Sequence, residues 1–410
     1  MYLARKILIL TLGLEAQRGS RCASVGGTPR DRLVSKLRKI IYTMPKNTHV
    51  EVDPQRYAQS RRRFLCNAGI GAASLPFLGA LANNAEAASP APTKNPWPGY
   101  PPYKFAFVCH VTADVFFNAV RAGANDMCAL LGTSYTWTGS ENDIIPEMVN
   151  AFKVAITNNV DGIAVAVVDP KAFNALTDEA LGKGIPVVAY NAQAPAGAGS
   201  HVMSYIGQDL FQAGVAVAKR ILTHVKQGDL VGGMISVPGS LNEQPRMDGA
   251  ASVFKPAGIN FVQVGVGATE GPALASIEAW YQGHQNVKFM FSSGGSNGVA
   301  VAKTIQKLNL APKGIGGAAF DVGLPVLQNI AAGNLAFTVD QQAYLQGAMS
   351  IYQLFLYNVS GGLITPTDYN TGFKYVTKDT VNAYLQNKDT WEGSSPTPVV
   401  FTRPKSISFE

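Results

Sequence analysis

The chain has 410 residues, 47% of them hydrophobic and 15% charged, enough to bury a large core and to favour two domains over one. Its formal charge of +7 is unevenly spread: residues 1–87 carry 14 Lys/Arg against 5 Asp/Glu, and residues 88–410 carry 20 against 22. The basic excess belongs to the front segment, and the remainder has no basic patch of the kind nucleic acid requires, so no nucleic-acid partner is expected.

In the front segment Ser60–Leu65 reads SRRRFL, followed by a weakly apolar run of small residues, Ala68–Ala82, and then NNAEAAS. A charged part, a short apolar part and a small-residue cleavage region in that order make a secretory signal. The consecutive arginines resemble the twin-arginine export signal. Residues 1–87 are expected to be an N-terminal extension plus this signal, with Met44 an alternative start, and residues 88–102 a Pro-rich linker. The mature protein is expected to be periplasmic. Of the four cysteines, Cys22 and Cys66 fall in the front segment. Cys109 is expected in a strand and Cys128 in the next helix, as two buried free thiols, with a disulfide between them as the alternative. Neither the cysteines nor the scattered histidines show metal-ligand spacing, and no cofactor is expected.

From residue 104 apolar runs alternate with helical patterns. Lys104–Val108 reads as a strand, and Phe117, Val120, Ala124, Met127 and Leu131 repeat with helical period. Tyr135–Thr138 is a second strand and Glu147–Asn158 a helix. The stretch Val160–Asn191 then holds two runs apolar on both faces, Gly162–Val168 and Ile185–Tyr190, as strands buried between helices in a parallel sheet would be. Each run stops at a polar residue, Asp169 and Asn191, and ligands sit at the carboxyl ends of such strands. Val202–Gly207 is a crossing strand and Asp209–Val225 a helix.

The pattern then starts again. Strands are expected at Leu230–Val237, Asn260–Val266, Val287–Ser292, Gly314–Phe320 and Leu335–Val339. Helices are expected in NEQPRMDGAASVFK and at Pro272–Tyr281, Asn297–Leu308, Leu324–Ala332 and Ala343–Tyr357. Thr367–Val376 and Val399–Phe401 finish the chain. Two similar doubly wound parallel-sheet lobes in tandem, both with polar strand ends, suit a cleft that closes on a small molecule.

Four features carry a resemblance: two aromatics in the loop after the first strand (TADVFF), Arg246 three residues before Gly249, Phe320-Asp321 after a late apolar strand, and Thr338-x-x-Gln341. In this order and spacing the chain resembles the ribose-binding-like (type 1) periplasmic sugar-binding proteins of ABC importers, over about Tyr103 to Val376. The resemblance implies an α/β fold of two lobes joined by a three-segment hinge near Tyr205–Gln208, Gln341–Ala343 and Thr367–Gly372. It implies lobes of 103–206 plus 343–369 and of 207–342 plus 370–410. It implies a monosaccharide or sugar-alcohol ligand, an ABC permease as partner, a monomer and no enzymatic activity. The implied ligand contacts are Asp114, Phe116, Phe117, Asp169, Asn191, Arg246, Asp321 and Gln341. Their chemistry suits a sugar: carboxylates and amides bond hydroxyls, Arg donates in a fixed fork, and an aromatic ring covers the C–H face. Asp169 suits a helix cap equally well, and either Phe suits a helix-start core position. Three departures argue against ribose itself: Ala192 where Arg is common, SGGSNG with Ser293 or Asn297 in place of an Asn-Asp pair, and Asp114 where Asn is common.

An enzyme reading finds no G-x-G-x-x-G after the first strand and no nucleophile with an evident His partner. A sugar-responsive transcription regulator would need a helix-turn-helix where the export signal stands. A periplasmic sugar sensor serving a chemoreceptor or sensor kinase would use the same lobes and the same cleft.

Overall fold

The computed structural model describes residues 99–391, with side chains to residue 386. The SRRRFL signal, the Met44 start, most of the Pro-rich linker, Cys22, Cys66 and the Val399–Phe401 segment lie outside the described residues. The chain builds two six-stranded sheets. In chain order the first takes β1 (Lys104–Cys109), α1 (Phe116–Leu131), β2 (Ser134–Gly139), α2 (Ile145–Thr157), β3 (Gly162–Val165), α3 (Asn174–Gly182), β4 (Val187–Tyr190) and β5 (Tyr205–Gly207). The second takes α4 (Leu210–Ile221), β6 (Leu230–Ile235), α5 (Gln244–Phe254), β7 (Asn260–Gly265), α6 (Glu270–Gly283), β8 (Val287–Ser292), α7 (Gly295–Lys307), β9 (Gly316–Phe320), α8 (Leu324–Ala331) and β10 (Phe337–Asp340). The chain then returns through α9 (Ala343–Val359) and β11 (Tyr369–Asn370) to the first sheet. It crosses back at β12 (Lys374–Thr377) before α10 (Val381–Trp391).

The strand orders are β11-β5-β4-β3-β1-β2 and β12-β10-β9-β8-β6-β7. Every pairing is parallel except β10 with β12. The order β5-β4-β3-β1-β2 repeats as β10-β9-β8-β6-β7, so the internal echo in the sequence is a repeat of topology. In each sheet the winding reverses beside the first strand, β1 or β6, and the carboxyl ends there are the standard place for a ligand.

Strands β1, β3 and β4 are buried almost throughout, as helices on both faces require. Two helix pairs pack by backbone approach. A Cβ on Gly123 of α1 would meet the Tyr344 carbonyl oxygen of α9 at 2.0 Å, and one on Gly214 of α4 would meet that of Arg246 in α5 at 2.0 Å. Only glycine permits either contact. Cys109 and Cys128 are free and buried, and burial pushes their thiols up to about 12 and about 11.

Two details differ from expectation. The run Gly162–Val168 is buried throughout, but the strand ends at Val165, so Asp169 stands four residues beyond the ladder. The polar helix α10 went unpredicted because only Val381, Tyr384 and Leu385 of its described side chains pack on the core. No helix among the described residues is long and apolar enough to cross a membrane.

Candidate functional site

A cleft of about 470 Å³, open mouth included, lies between the strand ends of the two sheets, where small-molecule sites are commonly built. The first sheet contributes His110 and Val111 at the end of β1, Asp114, Phe116 and Phe117 at the start of α1, Asp143 before α2, and Asn191 after β4. The second contributes Asn242, Glu243 and Arg246 around the start of α5, Gly294–Ser296 at the start of α7, Asp321 after β9 and Gln341 after β10. Seven of the eight expected residues therefore border one space. Asp169 does not: its carboxylate accepts the Lys171 and Ala172 amides at 2.8 and 2.7 Å and caps the turn before α3. Ala192 is fully buried in the first core and also stands off the cleft.

Asn191 and Asp321 occupy equivalent places after β4 and β9. Both turn the backbone through the left-handed region, with φ of 64° and 68°. Asn and Asp tolerate that conformation better than other side-chain-bearing residues, and it re-aims the side chain at the strand end. A relay of amides joins them: Asn191 Nδ2 donates to Gln346 Oε1 at 3.3 Å, Gln346 Nε2 to Gln341 Oε1 at 3.0 Å, and Gln341 Nε2 to Asp321 Oδ1 at 2.7 Å.

Arg246 is 2% exposed, and its guanidinium lies 4.4 Å from the centre of the Phe320 ring. Its Nη1 donates to the Ser293 carbonyl at 2.6 Å and its Nη2 to Gln208 Oε1 at 3.1 Å, while Nε has no partner among the described residues. A buried donor left over in this way is costly unless something meets it. Asp321, 6% exposed, has its carboxyl raised to about 7 by burial, against the pull of Arg246 and the Gln341 hydrogen bond. The start of α7 brings carboxylates from both sheets together. A Cβ on Gly295 would lie 3.3 Å from Asp321 Oδ2 and 3.6 Å from Asp114 Oδ1, and Ser296 Oγ donates to Asp114 Oδ2 at 2.6 Å across the cleft. The positive end of the α7 dipole favours both carboxylates there.

The two aromatics differ. Phe116 is partly exposed at the cleft, whereas Phe117 is 2% exposed and packs against Phe116, His110, Trp137 and Tyr190. Trp137 belongs to this cluster, Trp280 stacks on His284, and Glu270 pairs with Lys303, all away from the cleft. Ser293 and Asn297 do not line the cleft; both donate to the Glu243 carboxylate. The polar lining residues missed by sequence reasoning are His110, Asp143, Ser236, Asn242, Glu243 and Ser296. His110 directly follows an apolar strand, and that signal could have found it. Among the described residues no group of side chains is arranged to hold a metal ion.

The periplasmic binding protein domain model matches residues 105–360. The xylose/arabinose-binding protein XylF of Sulfolobus acidocaldarius is 36% identical over 309 residues, covering 73% of this chain and 76% of that protein. An ABC transporter solute-binding protein from Burkholderia graminis C4D1M, crystallised with D-arabinose, is 25% identical with a TM-score of 0.64, covering 69% of this chain and 97% of that one. One from Agrobacterium vitis with bound D-fucose is 22% identical with a TM-score of 0.65, covering 68% and 97%, and supports the fold alone. The chain belongs to the periplasmic binding protein family, among the sugar-binding proteins of ABC transporters.

Proposed function

We propose that this protein captures one neutral monosaccharide, an aldopentose of the xylose or arabinose type, in the cleft between its sheets and presents it to an ABC permease. The observation that carries this reading is buried Arg246 at the cleft, its Nε without a partner among the described residues, together with an amide relay that ends on a buried carboxyl. A sugar edge of adjacent hydroxyls meets both needs, accepting from the guanidinium and donating to Asp321. Asp114, Asn191 and Gln341 supply further bonds. The Phe116 ring covers the C–H face, and Phe117 supports that ring from the core. The xylose/arabinose-binding relative and the D-arabinose-bound structure favour a pentose. We read the protein as an exported monomer without catalysis, its SRRRFL segment directing the twin-arginine route. Asp169, spent on its own turn, has no part in this site.

Titration calorimetry with D-xylose, L-arabinose, D-ribose, D-glucose and xylitol tests the reading. At least one pentose should bind saturably at one site. Silence to the whole panel, with binding of amino acids instead, overturns it.

A further inference from the structure

The end of the cleft around His110 and Glu243 carries polar atoms that the reading above leaves unused. Asp143 N donates to the His110 carbonyl at 2.9 Å, which ties the loops after β1 and β2 together. From the other sheet, Ser240 Oγ donates to Asn242 Oδ1 at 2.6 Å and lies 3.4 Å from Asp143 Oδ2. That bond orients the Asn242 amide, so its Nδ2 is the donor to His110 Nε2 at 3.1 Å. A neutral imidazole that accepts at one nitrogen carries its proton on the other, and burial keeps His110 neutral, pushing it down to about 4. Its Nδ1–H therefore points from a side chain that is 6% exposed, with no acceptor among the described residues.

Glu243, 5% exposed, is equally one-sided. Its Oε2 accepts from Ser236 N at 2.9 Å, Ser293 Oγ at 2.5 Å and Asn297 Nδ2 at 3.1 Å. Among the described residues no bond reaches Oε1, which lies where a Cβ on Gly294 would come within 2.6 Å of it. Asp143 Oδ1 is also buried without a partner among the described residues. The residues that carry this donor and these two acceptors come from both sheets and border the same cleft.

We propose that His110, Asp143 and Glu243 form a second ligand-binding end of the cleft, which holds one hydroxyl of the sugar and turns away an anionic substituent. The inference rests on the sugar reading above. A hydroxyl accepts from Nδ1–H and donates to a carboxylate in one group. A carboxylate or phosphate only accepts, and would face Asp143 and Glu243. Arg246 lies between the two ends, within the field of Asp321 and of Glu243, so anions meet carboxylates on either side of a single guanidinium.

The test is calorimetry of the wild type, Glu243→Gln, Asp143→Asn and Arg246→Ala with D-xylose, L-arabinose and their monodeoxy analogues, each variant first checked for a cooperative melt. Hydrogen bonds to charged groups correspond to about tenfold to a hundredfold in affinity. Glu243→Gln should weaken the parent sugar by about that factor. One monodeoxy analogue, lacking the hydroxyl held here, should bind wild type and Glu243→Gln within about threefold of each other. If Glu243→Gln does not fold, Asp143→Asn, at a less buried residue, should show the same pattern with the same analogue. Wild-type affinity in both variants, with binding lost only in Arg246→Ala, overturns the second end and leaves the sugar reading standing. A wild type silent to every sugar overturns both.

Discussion

Sugar binding should release a proton from Asp321. Burial raises this carboxyl to about 7, Arg246 and the Gln341 bond pull it down, and Asp114 and Asp340 push it up again. In sugar-free protein at pH 6 it is therefore mostly protonated. Hydroxyls donating to it favour the charged form, so its pKa falls on binding and affinity rises with pH through about 7. If the bound carboxyl returns to about 4, affinity at pH 8 exceeds that at pH 5 by up to about a hundredfold, on the order of 2.7 kcal/mol. Calorimetry at pH 6 in buffers of different ionisation enthalpy should count nearly one proton released, and Asp321→Asn should release none. Stability of the sugar-free protein carries the opposite sign. The folded pKa is raised, so this contribution is fully present below the unfolded value near 3.8 and is lost as pH rises through about 7. Asp143, raised to about 6 by burial and by Glu243, adds a slope in the same direction. Sugar-free protein should lose part of this slope between pH 5 and 8 in the Asn variant. No proton release from wild type at pH 6, or an Asn variant with the wild-type pH profile, refutes the reasoning.

Arg246→Ala removes both guanidinium bonds and the cation over Phe320, and should weaken pentose binding by at least about a hundredfold while the chain still melts cooperatively. Wild-type affinity would take Arg246 out of the site. Gly214→Ala should lower stability by about 1–3 kcal/mol, and affinity with it, because the new methyl strikes the Arg246 carbonyl; denaturant unfolding reads the first effect and calorimetry the second. Phe117→Ala should cost about 3–5 kcal/mol of stability as a core deletion. Phe116→Ala should instead act mainly on affinity, and equal stability losses in the two variants would contradict their different burial.

Where the strand-end rule worked and where it failed have one cause. An apolar run reports burial, and burial ends where the ladder ends only in some strands. At β4 the two coincide, so Asn191 stands at the cleft. At β3 the buried run continues through Ala166–Val168 after pairing stops, and the first polar residue falls past the cleft. Arg246 was legible because a charged side chain just inside a helix start, three before a glycine, is not explained by capping. Glu243 was not. Its carboxylate has meaning only once folding brings Ser236, Ser293 and Asn297 to it, residues 7, 50 and 54 positions away. Asp143 is hidden for the same reason, since its neighbours Ser240 and Glu243 come from the other sheet.

The three segments where the chain passes between the sheets are bonded to one another as well as to the site. Gln342, at φ 56° between β10 and α9, donates its Nε2 to the Thr371 carbonyl at 2.6 Å, and Thr371 Oγ1 returns a bond to the Gln341 carbonyl at 2.8 Å. Gln208, just after β5, donates its Nε2 to the Gly372 carbonyl at 3.3 Å and accepts from Arg246 Nη2 with its Oε1. One amide thus holds a crossover with one end and the cleft-lining guanidinium with the other, and Gln341 joins Asp321 through its side chain to Thr371 through its backbone carbonyl. A rotation of the sheets turns the backbone of these crossovers. Such a rotation would therefore disturb the partners of Arg246 and Asp321. A sugar that fastens those two side chains stabilises one crossover geometry over others, which is the differential affinity that a population shift requires. On this geometry Gln208→Ala should weaken sugar binding although Gln208 lies outside the cleft lining. The loss should appear in faster dissociation, as Arg246 loses its anchor. A Gln208→Ala protein with the wild-type dissociation rate would separate the crossovers from the site.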